Sequence, residues 1–175
     1  MRPARIGLAI ALTGFAAACG GNEAAGPGIA LSREEVIGLA SELGDAIRTV
    51  AVPGLDSGLL DGAAPCRNGG SATSAGSYAG ADTVIGDATV TLSACRTTSY
   101  TASGPLHVTA TVAGVRSATT TVTVHVTGTL QVSAADGRSG SCAVDVGAAT
   151  AASGTATSLV QVSGTACGVN VSGRY

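Results

Sequence analysis

From residue 71 onward, apolar and polar residues take turns along the chain. The clearest run is Val122, Val124, Val126, Gly128, Leu130 and Val132, interleaved with Thr121, Thr123, His125, Thr127, Thr129 and Gln131. Leu106, Val108, Ala110 and Val112 alternate in the same way with His107, Thr109 and Thr111, and Val90, Leu92 and Ala94 with Thr89, Thr91 and Ser93. Shorter runs follow at Val144 and Val146, at Val160 and Val162, and at Val169, Val171 and Tyr175. Successive side chains of a strand point to opposite faces, so each run predicts a strand with one buried and one wet face. Turn-forming residues separate the runs at 79–82, Gly114, Asp136-Gly137, Ser153-Gly154 and Gly168. About seven strands with no helical crossover between them predict a meander. The strand over 119–133 would reach roughly 45–50 Å at ~3.3 Å per residue, and Gly128 is its expected bend. The fold class expected is mainly β with one N-terminal helix (α+β): a curved antiparallel meander sheet or a partly closed barrel.

Upstream of the strands the period lengthens. Ser32-Arg33-Glu34-Glu35 has the form of a capping box, and Val36, Leu39, Ala40, Leu43, Ile47 and Val50 recur every three or four residues. A helix over 33–50 is expected, stopped by Pro53-Gly54. Its polar side holds Glu34, Glu42 and Asp45 with Arg48. That acidic balance would be repelled by anionic lipid, so the helix should pack on its own sheet, at the concave face or the open end. Residues 53–70 read as a loop, with Leu59 and Leu60 its only strong apolar pair. Residues 19–31 are short of pattern and read as a flexible tether, leaving one domain over 32–175.

The first residues carry a different signal. Met1-Arg2-Pro3-Ala4-Arg5 is a short basic segment, an apolar stretch runs from Ile6 to Phe15, and Ala16-Ala17-Ala18-Cys19-Gly20 follows. The stretch is too short for a membrane span and matches a secretory signal over 1–18. The small residues before Cys19 resemble the lipobox of bacterial lipoproteins, with Ala16 where that family most often has Leu. The resemblance covers about the first twenty residues. It implies that Cys19 takes a diacylglyceryl group on its thiol, becomes the first residue of the mature chain and is acylated on its new amine. Membrane attachment through that lipid follows, and several acyl chains at ~0.8 kcal/mol per buried CH₂ would make it stable. Gly20 stands where an Asp would signal retention at the inner membrane, so by the same analogy the outer membrane is the expected address.

Composition narrows the rest. The chain has nine Arg, no Lys and eleven acids, a net charge of −2; losing Arg2 and Arg5 with the leader takes it to −4. No basic patch offers itself to nucleic acid. Three Tyr and one Phe are the only aromatics, and Phe15 lies in the leader. A core without large rings must rest on small β-branched contacts or on cross-links. There are five Cys, and giving Cys19 to lipid leaves four that can pair. Cys66 and Cys95 lie about evenly on either side of Gly80-Ala81, and Cys142 and Cys167 about Ser153-Gly154. Of three connectivities this symmetry favours Cys66–Cys95 and Cys142–Cys167, each worth ~2–4 kcal/mol in an oxidising compartment. Pairing Cys142 with Cys167 sets Val144 against Thr165, so a bulge near Gly147 or Gly164 is expected. No Cys-x-x-Cys pair suggests zinc. The body also loosely resembles secreted bacterial β-proteins that open with Cys-x-x-Gly-Gly and close with Cys-Gly, here Cys66 to Gly70 and Cys167-Gly168; that resemblance implies no activity.

Candidate chemistry is thin. His107 and His125 fall on Thr-lined faces and are expected in solvent; a paired-His metal site would need their strands to be neighbours. No Gly-x-Ser-x-Gly elbow is present. Asp136-Gly137-Arg138-Ser139-Gly140 lacks the acids of an EF-hand and the Lys of a P-loop, and reads as a turn, as do the surroundings of Asp82 and Asp87. The Thr row over 119–129 is single, where ice binding needs several. No catalytic residue, cofactor or metal is expected. The expected role is a non-enzymatic envelope lipoprotein with a structural or protein-binding β domain. The alternative is a carrier of lipid or another apolar ligand, with the sheet closing round a Val-, Leu- and Ala-lined cavity. Mass spectrometry of the mature N-terminal peptide should find lipid on Cys19; an unmodified thiol would refute the lipoprotein reading.

Overall fold

The computed structural model describes residues 28–51, 61–114, 119–153, 156–157 and 160–174. The leader, Cys19, the Leu59-Leu60 pair, Gly154 and Tyr175 lie outside the described residues. Helix α1 is Arg33–Ala51. The strands are β1 (Gly62–Pro65), β2 (Ser71–Gly80), β3 (Thr83–Arg96), β4 (Tyr100–Ala113), β5 (Thr119–Ala134), β6 (Ser139–Ser153), β7 (Ala156–Thr157), β8 (Gln161–Ala166), β9 (Val169–Asn170) and β10 (Gly173–Arg174). They form one antiparallel sheet in the order β1-β2-β3-β4-β5-β6-β8-β10, with β7 on β6 and β9 on β8. The sheet is a curled meander that does not close. Its end strands, β1 and β10, do not pair with each other. Long neighbours joined by tight turns account for the order, since a two-residue connection can only fold a strand back on its neighbour. Strand β1 lies inside the segment expected to be loop. Its four residues, Gly-Ala-Ala-Pro, are too few and too small to show a period.

The expected alternation fixes the concave face. Val90 and Leu92 of β3, Leu106 and Val108 of β4, and Leu130 and Val132 of β5 are buried, while their Thr neighbours face water. One strand departs from it. Between β3 and β4 the register slips from Leu92↔Gly104 to Cys95↔Ala102. Ala94, expected on the apolar face, has φ +48°, lies exposed and donates its N–H to Ser103 Oγ at 2.9 Å. This is a β-bulge, and the extra residue exchanges the two faces beyond it. Cys95, which unbroken alternation would turn outward, is instead fully buried. The bend at Gly128 is present. The ladder between β4 and β5 passes from Ser103↔Gln131 to Leu106↔Gly128, skipping Gly104-Pro105, and Gly128 has φ +147°. A Cβ there would sit 2.7 Å from the Pro105 carbonyl oxygen.

Helix α1 starts as expected. Glu35 N–H donates to Ser32 Oγ at 3.2 Å, and Ser32 N–H donates to Glu35 Oε2 at 2.7 Å. Val36, Leu39, Leu43, Ala46 and Val50 are buried; Ala40, assigned to the same stripe by its spacing, is exposed. The helix packs against β1, β2, β3 and β9. Its C-terminal carbonyl at Val50 accepts from Ser74 Oγ of β2 at 2.6 Å, and its other polar contacts go to one end of the sheet. Glu42 accepts from Thr98 N–H at 2.9 Å, Glu35 meets Tyr100 and Arg138, and Arg33 donates to the Ser172 carbonyl at 3.1 Å. The helix therefore lies across that end of the curl. Residues 28–31, expected to belong to the tether, lie against the sheet. Gly28 bridges to Ser141, Ile29 N–H donates to Ser141 O at 3.0 Å, and Ile29 and Leu31 belong to the core. Two apolar side chains in a stretch without period gave no sign of burial, yet they seat the chain against β6 before the helix begins.

Gly128→Ala should lower stability by roughly 1–3 kcal/mol, the usual cost of a strained left-handed residue. Urea denaturation of the oxidised protein measures it, and an unchanged midpoint would show that the bend tolerates a side chain.

Candidate functional site: an apolar cavity beneath the helix

Because α1 sits toward β1–β3, the middle of the curl is left uncovered, and a cavity of about 650 Å³ lies between the helix and β4–β6. Leu39, Leu43 and Ile47 line it from the helix, and Leu106, Val108 and Ala110 from β4. Val124, Val126 and Leu130 follow from β5, and Val144, Val146 and Ala148 from β6. Every described lining residue is Gly, Ala, Val, Leu, Ile or Cys, so none of them brings a polar side chain to the wall. The cause lies in the sequence. A curled sheet leaves a volume that large side chains normally fill, and the inward positions here hold Val, Ala and Gly. Leu130 is buried near the helix, whereas Val124, Val126, Val144 and Val146 further along are only half-buried. The cavity is thus closed beside the helix and more open away from it.

The closed end is held by charge. Arg138 Nη2 lies 2.5 Å from Glu35 Oε1, its Nε lies 2.7 Å from Asp136 Oδ2, and its Nη1 donates to the Ala30 carbonyl at 2.7 Å. The Tyr100 hydroxyl donates to Glu35 Oε1 at 2.9 Å. The hydrogen bond from Arg138, then those from the Ser32 amide and Tyr100, hold the Glu35 carboxyl down from its ordinary 4.5 to about 2. Burial and the Glu35 carboxylate push the Tyr100 hydroxyl up. The Arg138 backbone N–H and guanidinium hold Asp136 below the usual carboxylate range. Asp136, Gly137 and Arg138 do lie in the expected turn, closed by Ala134 N–H donating to Arg138 O at 2.8 Å, while Ser139 and Gly140 already belong to β6. What sequence reasoning missed is its reach: Arg138 clamps a helix that begins more than a hundred positions earlier, and no local pattern could reveal that.

The two expected disulfides are both present, by routes that differ from the expected ones. Cys66 and Cys95 are bridged with Cα atoms 5.4 Å apart. Yet the β2–β3 ladder runs from Ser71↔Ser93 to Gly80↔Val84, which centres its turn on Ala81-Asp82 rather than Gly80-Ala81. Cys66 belongs to the preceding β1–β2 turn, where its N–H donates to Gly70 O at 3.1 Å and Gly69 accepts from Arg96 N–H at 2.8 Å. Gly69 and Gly70 have φ +112° and +83°, and a side chain on Gly70 would run into the Ala94 carbonyl. The Cys-x-x-Gly-Gly segment is therefore the turn that brings Cys66 over the bulge. Cys142 and Cys167 are bridged with Cα atoms 4.1 Å apart, and both line the cavity. The β6–β8 ladder is regular from Val144↔Ala166 to Ala149↔Gln161, so the bulge expected near Gly147 or Gly164 is absent. The offset is absorbed at Cys167 itself, which follows the end of β8 with φ +51° and donates its N–H to Ala143 O at 2.8 Å.

The histidines lie outside, as expected, on the convex face. His107 Nε2 is 2.9 Å from Asp87 Oδ1, and His125 Nε2 is 2.8 Å from Asp145 Oδ1, with all four side chains at least half exposed. Asp87, read as part of a turn, sits within β3. Strands β4 and β5 are neighbours, which a paired-His metal site required, but among the described residues no three His, Cys, Asp or Glu side chains are grouped to hold a metal. Among the same residues no helix is long and apolar enough to cross a membrane. Comparison of the chain with protein-family models, with curated proteins and with solved structures finds no match.

The lowered Glu35 carboxyl gives a pH test with a definite sign. Its contribution to stability is complete above about pH 4.5 and disappears as the pH falls toward 2. Glu35→Gln should be less stable than the parent at pH 7, and the difference should shrink between pH 5 and pH 2. Denaturation midpoints at stepped pH decide it; a deficit that is constant down to pH 2 contradicts the assignment.

Proposed function

We propose that the protein is an envelope lipoprotein whose β domain carries an apolar ligand. One observation supports carriage over a structural or adhesive role: a cavity of about 650 Å³ whose described lining side chains are all apolar. A void costs about 24 cal/mol per Å³ in core substitutions, so a dry space of this size would cost ~15 kcal/mol, as much as a whole domain's stability. Water entering from the open side finds few polar partners on the wall. An apolar ligand replaces that deficit with contact and removes apolar surface from water. Carriage asks for such a space and a way in, and for no reacting group.

The lipid expected on Cys19 completes the proposal by holding the carrier at a membrane, with the outer membrane favoured by Gly20. The disulfides are compatible with export. Native mass spectrometry of the protein purified from its own host should show adducts that organic solvent removes, and the stripped protein should take up an apolar fluorescent probe such as N-phenyl-naphthylamine. Protein of bare mass that also fails to bind the probe would rule out carriage.

A further inference from the structure

The chain carries an occupant for its own cavity, an inference that rests on the carrier reading and on the lipid proposed for Cys19. Charge is the first consideration. No described lining residue is ionisable outside the Cys142–Cys167 bridge. A free fatty acid or a phospholipid brings a charged group that has no partner on this wall and must stay in water. The lipid proposed for Cys19 brings none. Its diacylglyceryl group is joined through the Cys19 sulfur and its amine is closed as an amide, so the whole anchor is uncharged hydrocarbon, ester and amide. Away from a membrane that hydrocarbon is driven out of water.

Reach is the second consideration, and the covalent chain sets it. The first described residue, Gly28, bridges to Ser141 of β6, and the next residue of that strand, Cys142, lines the cavity. Nine residue steps join Cys19 to Gly28, a span of at most about 30 Å at ~3.3 Å per residue. Val146, on the half-buried part of the wall, lies five steps along β6 from Ser141, about 17 Å. The tether is thus long enough to bring Cys19 to the open side of the cavity. A ligand held on so short a linker meets its site at millimolar effective concentration.

We infer that, away from a membrane, the cavity holds hydrocarbon of the protein's own Cys19 lipid, and that a carried ligand competes with this anchor. Coupling of the two is reciprocal. Loading a ligand releases the anchor for insertion in a membrane, and insertion of the anchor empties the cavity for a ligand.

The test compares three forms of the mature chain, each stripped of removable adducts and kept free of detergent. They are the lipidated protein, the same protein with about forty Gly and Ser residues inserted after Gly21, and Cys19→Ser exported behind an ordinary cleavable leader. The changes lie outside residues 28–174, so the β domain is common to all three. In sedimentation velocity the lipidated protein should be monomeric at micromolar concentration, its hydrocarbon being sheltered. In titrations with N-phenyl-naphthylamine the Cys19→Ser form should bind the probe at least about ten-fold more tightly than the lipidated protein. The longer linker should give back up to roughly ten-fold of that difference, because effective concentration falls as about the −3/2 power of linker length. Micellar assembly of the lipidated protein, equal probe affinity with and without lipid, or a deficit that ignores linker length each overturns the inference and leaves carriage standing. An unmodified Cys19 does the same. Absence of probe binding by the Cys19→Ser form overturns both.

Discussion

A sheet that curls encloses space, and that space must be filled by its own side chains, by another element or by something from outside. In this protein the inward residues are mostly Val, Leu, Ala and Gly, and the described residues include no Phe or Trp and only two Tyr, Tyr78 and Tyr100. The helix covers the β1–β3 side and seals one end, but one amphipathic helix is too narrow to fill the whole curl. The remaining volume is the cavity. Its size, its lack of polar groups and its position beneath α1 all follow from the shortage of large inward side chains.

A core with so few large residues needs other ways to keep its shape. The bulge at Ser93-Ala94 turns Cys95 inward, the Gly69-Gly70 turn lowers Cys66 onto it, and the resulting bridge fixes the β1–β3 side. On the far side the Cys142–Cys167 bridge joins β6 to the turn after β8. Between them the Arg138–Glu35 pair, with Tyr100 and Asp136, fastens the helix to the sheet ends. Surface ion pairs are usually worth little, but Glu35 also completes the helix cap, so a single carboxylate both starts the helix and places it.

Much of the fold was legible because it is written in local periods. Alternation over β3, β4 and β5 specified strands and faces, the capping box specified where α1 begins, and short turns implied the meander. The two cysteine pairs were legible through hairpin symmetry, although Cys66 reaches its partner by an extra turn. What was hidden is non-local or too short for a period. The four residues of β1, the seating of Ile29 and Leu31 against β6, and the reach of Arg138 to Glu35 each depend on a partner far away in the chain. The bulge was hidden for another reason: Ser93-Ala94-Cys95 suits either register, and only the pairing with β4 decides which residue turns in. The cavity was half legible. Small inward residues made it conceivable, but its existence depended on where the helix came to rest.

Both covalent cross-links and the ion-pair clamp lie at the helix end of the curl. The opposite ends of β2–β6 hold no disulfide among the described residues and are joined by ladder bonds with a few side-chain bonds, such as Thr120 Oγ1 to the Gly114 carbonyl at 3.2 Å, and among the same residues the end strands β1 and β10 do not pair with each other. Rigidity is therefore graded along the strands. Strand tips can fray and the margins part without breaking a covalent bond or moving the base. The domain resembles a purse stitched at the bottom, with a mouth that can widen while the base keeps its form.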